Sequence, residues 1–190
     1  MEYTYIEHIY KDYFIYVESD RDQKDPRSGE NCTTMICCHR RYQIGDLHSY
    51  KLTESTVKGW ETLKEEILKA EDVAAICPIY LYERKDRRIS ISFAPYQDYW
   101  KSYQVGWAYI TKAKLDRINE EVTGGDTDPY FILATEVIEY DRFLTGELTL
   151  KCDIENVNGD VIHTQAGWTD VKDAVESAQR EIDSHYQEEK

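Results

Sequence analysis

Residues 128–168 read DPYFILATEVIEYDRFLTGELTLKCDIENVNGDVIHTQAGW, and three signals within them set the fold class. Asp128 is a good N-cap and Pro129 suits the first helical position. Phe131, Ala134, Val137, Ile138 and Tyr140 then recur at helical spacing until Gly146 stops the run. Leu148 to Ile154 and Val161 to Gln165 flank Asn158-Gly159, a pair that tolerates the positive φ of a tight hairpin turn. Thr169 follows as the cap of a further helix with Val171, Ala174, Val175, Ala178 and Ile182 on one side. A helix, a hairpin and a helix in succession predict an α+β protein with a mainly antiparallel sheet.

Upstream the same signals continue. Tyr3 to Glu18 is crowded with aromatic and β-branched residues and reads as one or two strands, followed by a polar loop of turn formers from Ser19 to Asn31. Thr33 to His39 reads as a buried strand. Ser55 to Ala70 reads as a helix with Val57, Trp60, Leu63, Ile67 and Leu68 inward, and with Lys64 lying along the core by its aliphatic stem. Cys77 to Tyr82 and Ile89 to Phe93 form a hairpin across a charged connection, and Val105 to Ile110 continues the sheet. Thr111 can cap a helix through Leu115, Ile118 and Val122 that Gly124-Gly125 ends. No internal repeat or clear linker is evident. The expectation for residues 1–190 is one single α+β domain with about four helices.

The charge is large and lopsided. Against 37 Asp and Glu stand 23 Lys and Arg, a net −14. Residues 1–115 hold 18 acidic and 17 basic side chains, whereas residues 116–190 hold 19 acidic and 6 basic, so the last stretch is strongly acidic. Such a balance repels phosphate backbones and anionic headgroups, which argues against nucleic-acid and membrane-surface binding. No apolar run reaches the roughly 18 residues of a membrane helix, and the opening Met-Glu-Tyr-Thr-Tyr lacks the layout of a signal peptide. The expected location is the cytoplasm. There the five cysteines, an odd number, remain thiols.

Three constellations bear on chemistry. Cys32, Cys37, Cys38 and His39 have metal-ligand residue types. Consecutive side chains on a strand point to opposite faces, however, so at most two of the last three converge, and buried structural cysteines are the expectation. No cofactor, metal site or catalytic residue is nominated, and none of the 37 carboxylates can be paired for acid–base work from sequence. Arg40, Arg41 and Tyr42 follow directly. Guanidinium groups offer a planar fork of donors for phosphate or carboxylate, with an intramolecular ion pair as the competing use in so acidic a chain. Tyr96, Tyr99, Trp100, Tyr103 and Trp107 fall close together, as a stacking platform or as packing. The third constellation is acidic. Glu136, Glu139 and Asp141 lie on one predicted helix, and Asp170, Asp173 and Glu176 on another, with Glu176 and Arg180 as an i,i+4 pair. Carboxylates at that spacing can imitate the charge of a nucleic-acid backbone.

The run Thr34-Met35-Ile36-Cys37-Cys38-His39-Arg40-Arg41-Tyr42-Gln43-Ile44-Gly45-Asp46 resembles a family of small proteins encoded by bacteriophages and plasmids, at its Cys-x-His-Arg-Arg-Tyr-x-x-Gly-Asp stretch above all. Further likeness lies at Pro78 to Tyr82, at Gln104 to Tyr109 and at Glu139 to Gly146, while Ala94 to Tyr103 departs from the family pattern. The resemblance implies a mobile-element origin and brings no activity with it. Compact acidic phage proteins are often inhibitors of host defence. The leading expectation is thus a non-enzymatic anti-defence inhibitor in the host cytoplasm, a DNA mimic binding a basic groove on a defence nuclease through Glu136, Glu139, Asp141, Asp170, Asp173 and Glu176. The alternative is a small-molecule or nucleotide-binding module using Arg40, Arg41, Tyr42, Tyr99, Trp100 and Tyr103.

Overall fold

The structure is a computed structural model that describes residues 5–83, 89–97, 101–121 and 125–188. In chain order the elements are β1 (Tyr5–Tyr10), β2 (Tyr13–Ser19), β3 (Thr34–Cys37), α1 (Val57–Ala70), β4 (Val73–Glu83), β5 (Ile89–Ser92), β6 (Ser102–Thr111), α2 (Lys112–Glu121), α3 (Pro129–Thr145), β7 (Leu150–Asn156), β8 (Val161–Trp168) and α4 (Val171–Glu188). A short 3-10 turn at Pro26–Ser28 lies in the first long loop. The α+β class and the antiparallel pairing are as expected: the strands form two four-stranded sheets, ordered β1-β2-β7-β8 and β3-β6-β4-β5, each antiparallel throughout. No helix among the described residues is long and apolar enough to cross a membrane.

The chain divides into two compact units. One is discontinuous, Met1–Lys24 with Glu147–Lys190, and the other is the insert between them, Asp25–Gly146. In the discontinuous unit the hairpin β1–β2 turns at Lys11, which sits at φ 54. The hairpin β7–β8 turns through Gly159 at φ 82, with the amides of Asn158 and Asp160 both donating to the Asn156 side chain. One face of this sheet, through Ile15, Val17, Cys152 and Ile154, is covered by Ala174, Ala178 and Ile182 of α4. Small residues at the helix side of this contact let it lie close to the sheet. Asp170, rather than Thr169, caps α4 by accepting from the amides of Lys172 at 2.8 Å and Asp173 at 3.3 Å; a carboxylate one residue later meets the first-turn N–H groups and the helix dipole together.

In the insert unit, β6 is the central strand, and Val105 to Ile110 are all buried. A continuous apolar run of this kind is what a strand covered on both faces requires. Trp107 and Tyr109 face one side, against Trp60, Leu63 and Ile67 of α1. Ala108 and Ile110 face the other, against Leu133, Val137 and Tyr140 of α3. Each large side chain so buried contributes about 1.5–3 kcal/mol relative to exposure. Lys64 is partly buried on this face, and its ammonium, expected to reach water, lies 5.0 Å from the centre of the Trp107 ring and 3.9 Å from Glu61.

Several faces differ from the expectation. On α3, Asp128 caps, Pro129 leads and Gly146 closes the helix at φ 69, as read, yet Phe131 and Ile138 are exposed while Leu133 takes the inward position. On α1, capped by Thr56, Val57 and Leu68 face solvent. β4 begins four residues earlier than the hairpin reading. β3 ends at Cys37, so His39 lies in the loop beyond it. Val122, Gly124 and the centre of the charged β4–β5 connection lie outside the described residues.

Candidate functional site

The loop His39–Tyr42 is built by its own first residue. The His39 ring accepts at Nδ1 from the amides of Arg41, at 3.1 Å, and Tyr42, at 3.0 Å. A nitrogen that accepts twice carries no proton, so the proton sits on Nε2, which donates to the Tyr103 hydroxyl at 3.0 Å. That hydroxyl donates in turn to Glu83 at 2.9 Å, and Arg41 donates to the same carboxylate oxygen at 2.6 Å. Burial holds the His39 pKa below its ordinary value, with the Arg41 charge adding to the effect and Glu83 opposing it. Burial and the Glu83 bond push the Tyr103 phenol up to about 12. The bonds from Arg41 and Tyr103 lower Glu83. The Tyr42 ring completes the loop, stacked on His39 with centroids 4.7 Å apart and with the Arg41 guanidinium 5.5 Å from its centre.

Beside this loop opens a cleft of about 850 Å³. Its walls include His39, Arg40, Arg41, Tyr103, Trp60 and the Ser55–Val57 entry to α1. Thr56 accepts from the Gly59 amide at 3.2 Å. Ser55, Thr56 and Val57 line the cleft, so the first turn of a 14-residue helix, the positive end of its dipole, borders it. Arg40 is exposed and makes no hydrogen bond or ion pair among the described residues, whereas Arg41 is tied to Glu83. Of the sequence's ligand-binding candidates, Arg40, Arg41 and Tyr103 line the cleft. Tyr42 lines a second hollow that shares His39, Arg40 and Arg41 with the cleft, and Tyr99 and Trp100 lie outside the described residues. Trp107 is core. Thr56, Trp60 and Glu83 were not foreseen: Thr56 is legible as a cap, but nothing local marks Glu83 as the partner of a residue 42 positions away.

The loop is fixed from below by a second set of bonds. Gly45 at φ 73 turns the chain, its amide donating to the Tyr140 hydroxyl at 3.0 Å, and a Cβ there would sit 2.5 Å from the Met35 carbonyl oxygen. Asp46 accepts from the Met35 amide at 2.8 Å and from Arg27 at 2.7 and 2.9 Å. The Arg27 side chain, 3% exposed, also donates to Glu136 at 2.7 Å. Burial works against its charge, and the bonds to Asp46 and Glu136 outweigh that and raise its pKa.

This network corrects the acidic constellation. Glu136 is an internal group that accepts from Arg27, from the amides of Cys32 and Thr33 and from the Thr33 hydroxyl. Asp141 accepts from the Ser90 hydroxyl at 2.6 Å and the Ile91 amide at 2.7 Å. Both leave the exposed set: each is partly buried and its oxygens are taken by these internal donors. Glu139, Asp173 and Glu176 are exposed, and Asp170 caps α4. Glu176 pairs with Lys172 at 3.5 Å instead of with Arg180, which donates to the Glu176 backbone carbonyl. Glu136, Glu139 and Asp141 belong to the insert unit, and Asp170, Asp173 and Glu176 to the discontinuous one.

The cysteines follow strand alternation. Cys37 packs with the α3-side core and Cys38 with the α1-side core. Burial raises both thiols, which leaves them poorly nucleophilic. All five cysteines are free, and the described residues hold no group of three or more metal-ligand side chains. No protein-family model, no curated protein and no solved structure matches this chain.

Proposed function

We propose that the protein binds a small phosphate- or carboxylate-bearing ligand, best fitted by a nucleotide, in the cleft between His39–Tyr103 and the first turn of α1. The observation that carries this reading is Arg40. In a chain of net charge −14, an arginine without an ion-pair partner among the described residues stands at a cleft that also receives a helix N-terminus. Both features favour an anion, and the volume falls within the roughly 300–1,000 Å³ of small-molecule sites. Tyr80 and Tyr103 supply ring surface for a base. Thermal-shift screening against ribonucleoside mono- and triphosphates tests it, because a ligand that binds the native state raises the melting temperature. A flat response across the panel rejects the reading.

A second reading, the anti-defence inhibitor acting on a basic protein groove, is favoured by a separate observation. The discontinuous unit carries 17 acidic against 7 basic side chains, so −10 of the net −14 lies there. Asp173 and Glu176 remain exposed on it, and Glu139 on the other unit. This reading predicts strongly salt-dependent association with a basic protein.

A further inference from the structure

α4 covers one face of the β1-β2-β7-β8 sheet, and the strand registers place twelve side chains on the other. In three rows across the four strands they are Tyr5, Glu18, Lys151 and Ala166; Glu7, Tyr16, Asp153 and Thr164; and Ile9, Phe14, Glu155 and Val161. Tyr5 and Ile9 are more than 60% exposed and Val161 more than half. The aromatic rings stack in succession: Tyr5 and Tyr16 have centroids 6.0 Å apart, and Phe14 and Tyr16, along β2, 6.4 Å. Four carboxylates surround the rings. The grid's single cation, Lys151, is taken by Asp153 at 2.7 Å and Glu18 at 3.2 Å. Glu7 and Glu155 flank Tyr16 with no cation of their own among the described residues, and the Tyr16 phenol is raised by burial and then by those two charges.

We propose that this face docks a cationic, arginine-rich protein segment. The charge complementarity selects a cation and repels nucleic acid. The rings select arginine, whose flat guanidinium stacks on an aromatic face while its edge donates to a neighbouring carboxylate. The proposal rests on the acidic-inhibitor reading and moves its contact surface from the helices to the sheet.

Calorimetric titration of the full chain with a nona-arginine peptide at low salt tests it, with thermal melts confirming that each variant folds. The Glu7→Lys/Glu155→Lys variant should bind at least tenfold more weakly. Tyr16→Leu, which keeps apolar bulk but removes the ring, should lose about fivefold, as expected for a stacked cation. The Asp173→Lys/Glu176→Lys variant of α4 should stay within twofold of wild type. If the helix variant loses as much as the sheet variant, or Tyr16→Leu binds as wild type does, the face is refuted and the acidic reading stands. If wild type does not bind the peptide, both are refuted.

Discussion

The Tyr140 hydroxyl accepts from the Gly45 amide at 3.0 Å, joining α3 to the turn that follows the His39–Tyr42 loop. The ring is 2% exposed, and burial pushes its phenol up to about 12. The residues meeting here lie 95 positions apart in the chain, and the bond between them supports the loop from below.

Tyr140→Phe should lower unfolding free energy by about 1 kcal/mol, since it leaves a partly buried amide without its protein acceptor. Gly45→Ala should cost more, because its Cβ adds a collision with Met35 O to a positive φ. Urea unfolding of both variants checks the order. A neutral Tyr140→Phe would show that water reaches the amide.

Arg27 neutralises two carboxylates in a nearly inaccessible site. Arg27→Met should destabilise the insert unit by about 3–5 kcal/mol, the range for breaking a buried pair from one side. Glu136→Lys should unfold it outright, by placing two cations together. Circular dichroism melts decide this. A stable Glu136→Lys protein would return Glu136 to the exposed acidic set.

His39 gives the loop a pH dependence. Its folded pKa lies below its ordinary value of about 6.5, so the unfolded chain binds the proton more readily. The stability that neutral His39 contributes is complete above pH 6.5 and is lost as the pH falls through the depressed folded value. Urea stability measured from pH 7 to 5 should therefore fall more steeply for wild type than for His39→Gln. Parallel profiles would contradict the assignment of Nδ1 as acceptor.

Gly59→Ala reverses an ordinary rule. Alanine stabilises an exposed helix by about 1 kcal/mol over glycine. Here its Cβ would fall 2.0 Å from the Glu54 carbonyl oxygen, so the Glu54–Thr56 entry must shift. The variant should melt lower than wild type and bind the anionic ligand more weakly, and thermal shift with and without nucleotide reads both. A stabilised variant would show that the α1 entry adapts freely.

What was legible in the sequence was local chemistry. Asp128, Pro129 and Gly146 bound α3, and Asn158-Gly159 turns β7 into β8, because each residue carries its conformational preference with it. The inward face of α3 was not legible: Phe131, Ile132, Leu133, Val137 and Ile138 are apolar nearly all round, and a period cannot choose among them. Thr169 and Asp170 are adjacent cap formers, and only the geometry shows which one the helix uses. Long-range pairing was out of reach. Nothing near Glu136 announces Arg27, 109 residues away, and no change of composition marks the boundaries at 24 and 146. Of the candidate cleft, Arg40, Arg41 and Tyr103 were readable as residue types. Their meeting with Thr56 and Trp60 depends on α1 packing against Trp107 of β6.

Arg40 makes no hydrogen bond or ion pair among the described residues, so replacing it separates ligand binding from folding. Calorimetric titration of wild type and Arg40→Ala with the nucleotide that gives the largest thermal shift is the most direct measurement. The two unliganded proteins should melt at the same temperature, and Arg40→Ala should bind at least tenfold more weakly, the loss expected when a charge-assisted bond to phosphate is removed. Equal affinities for the two proteins would contradict the anion cleft.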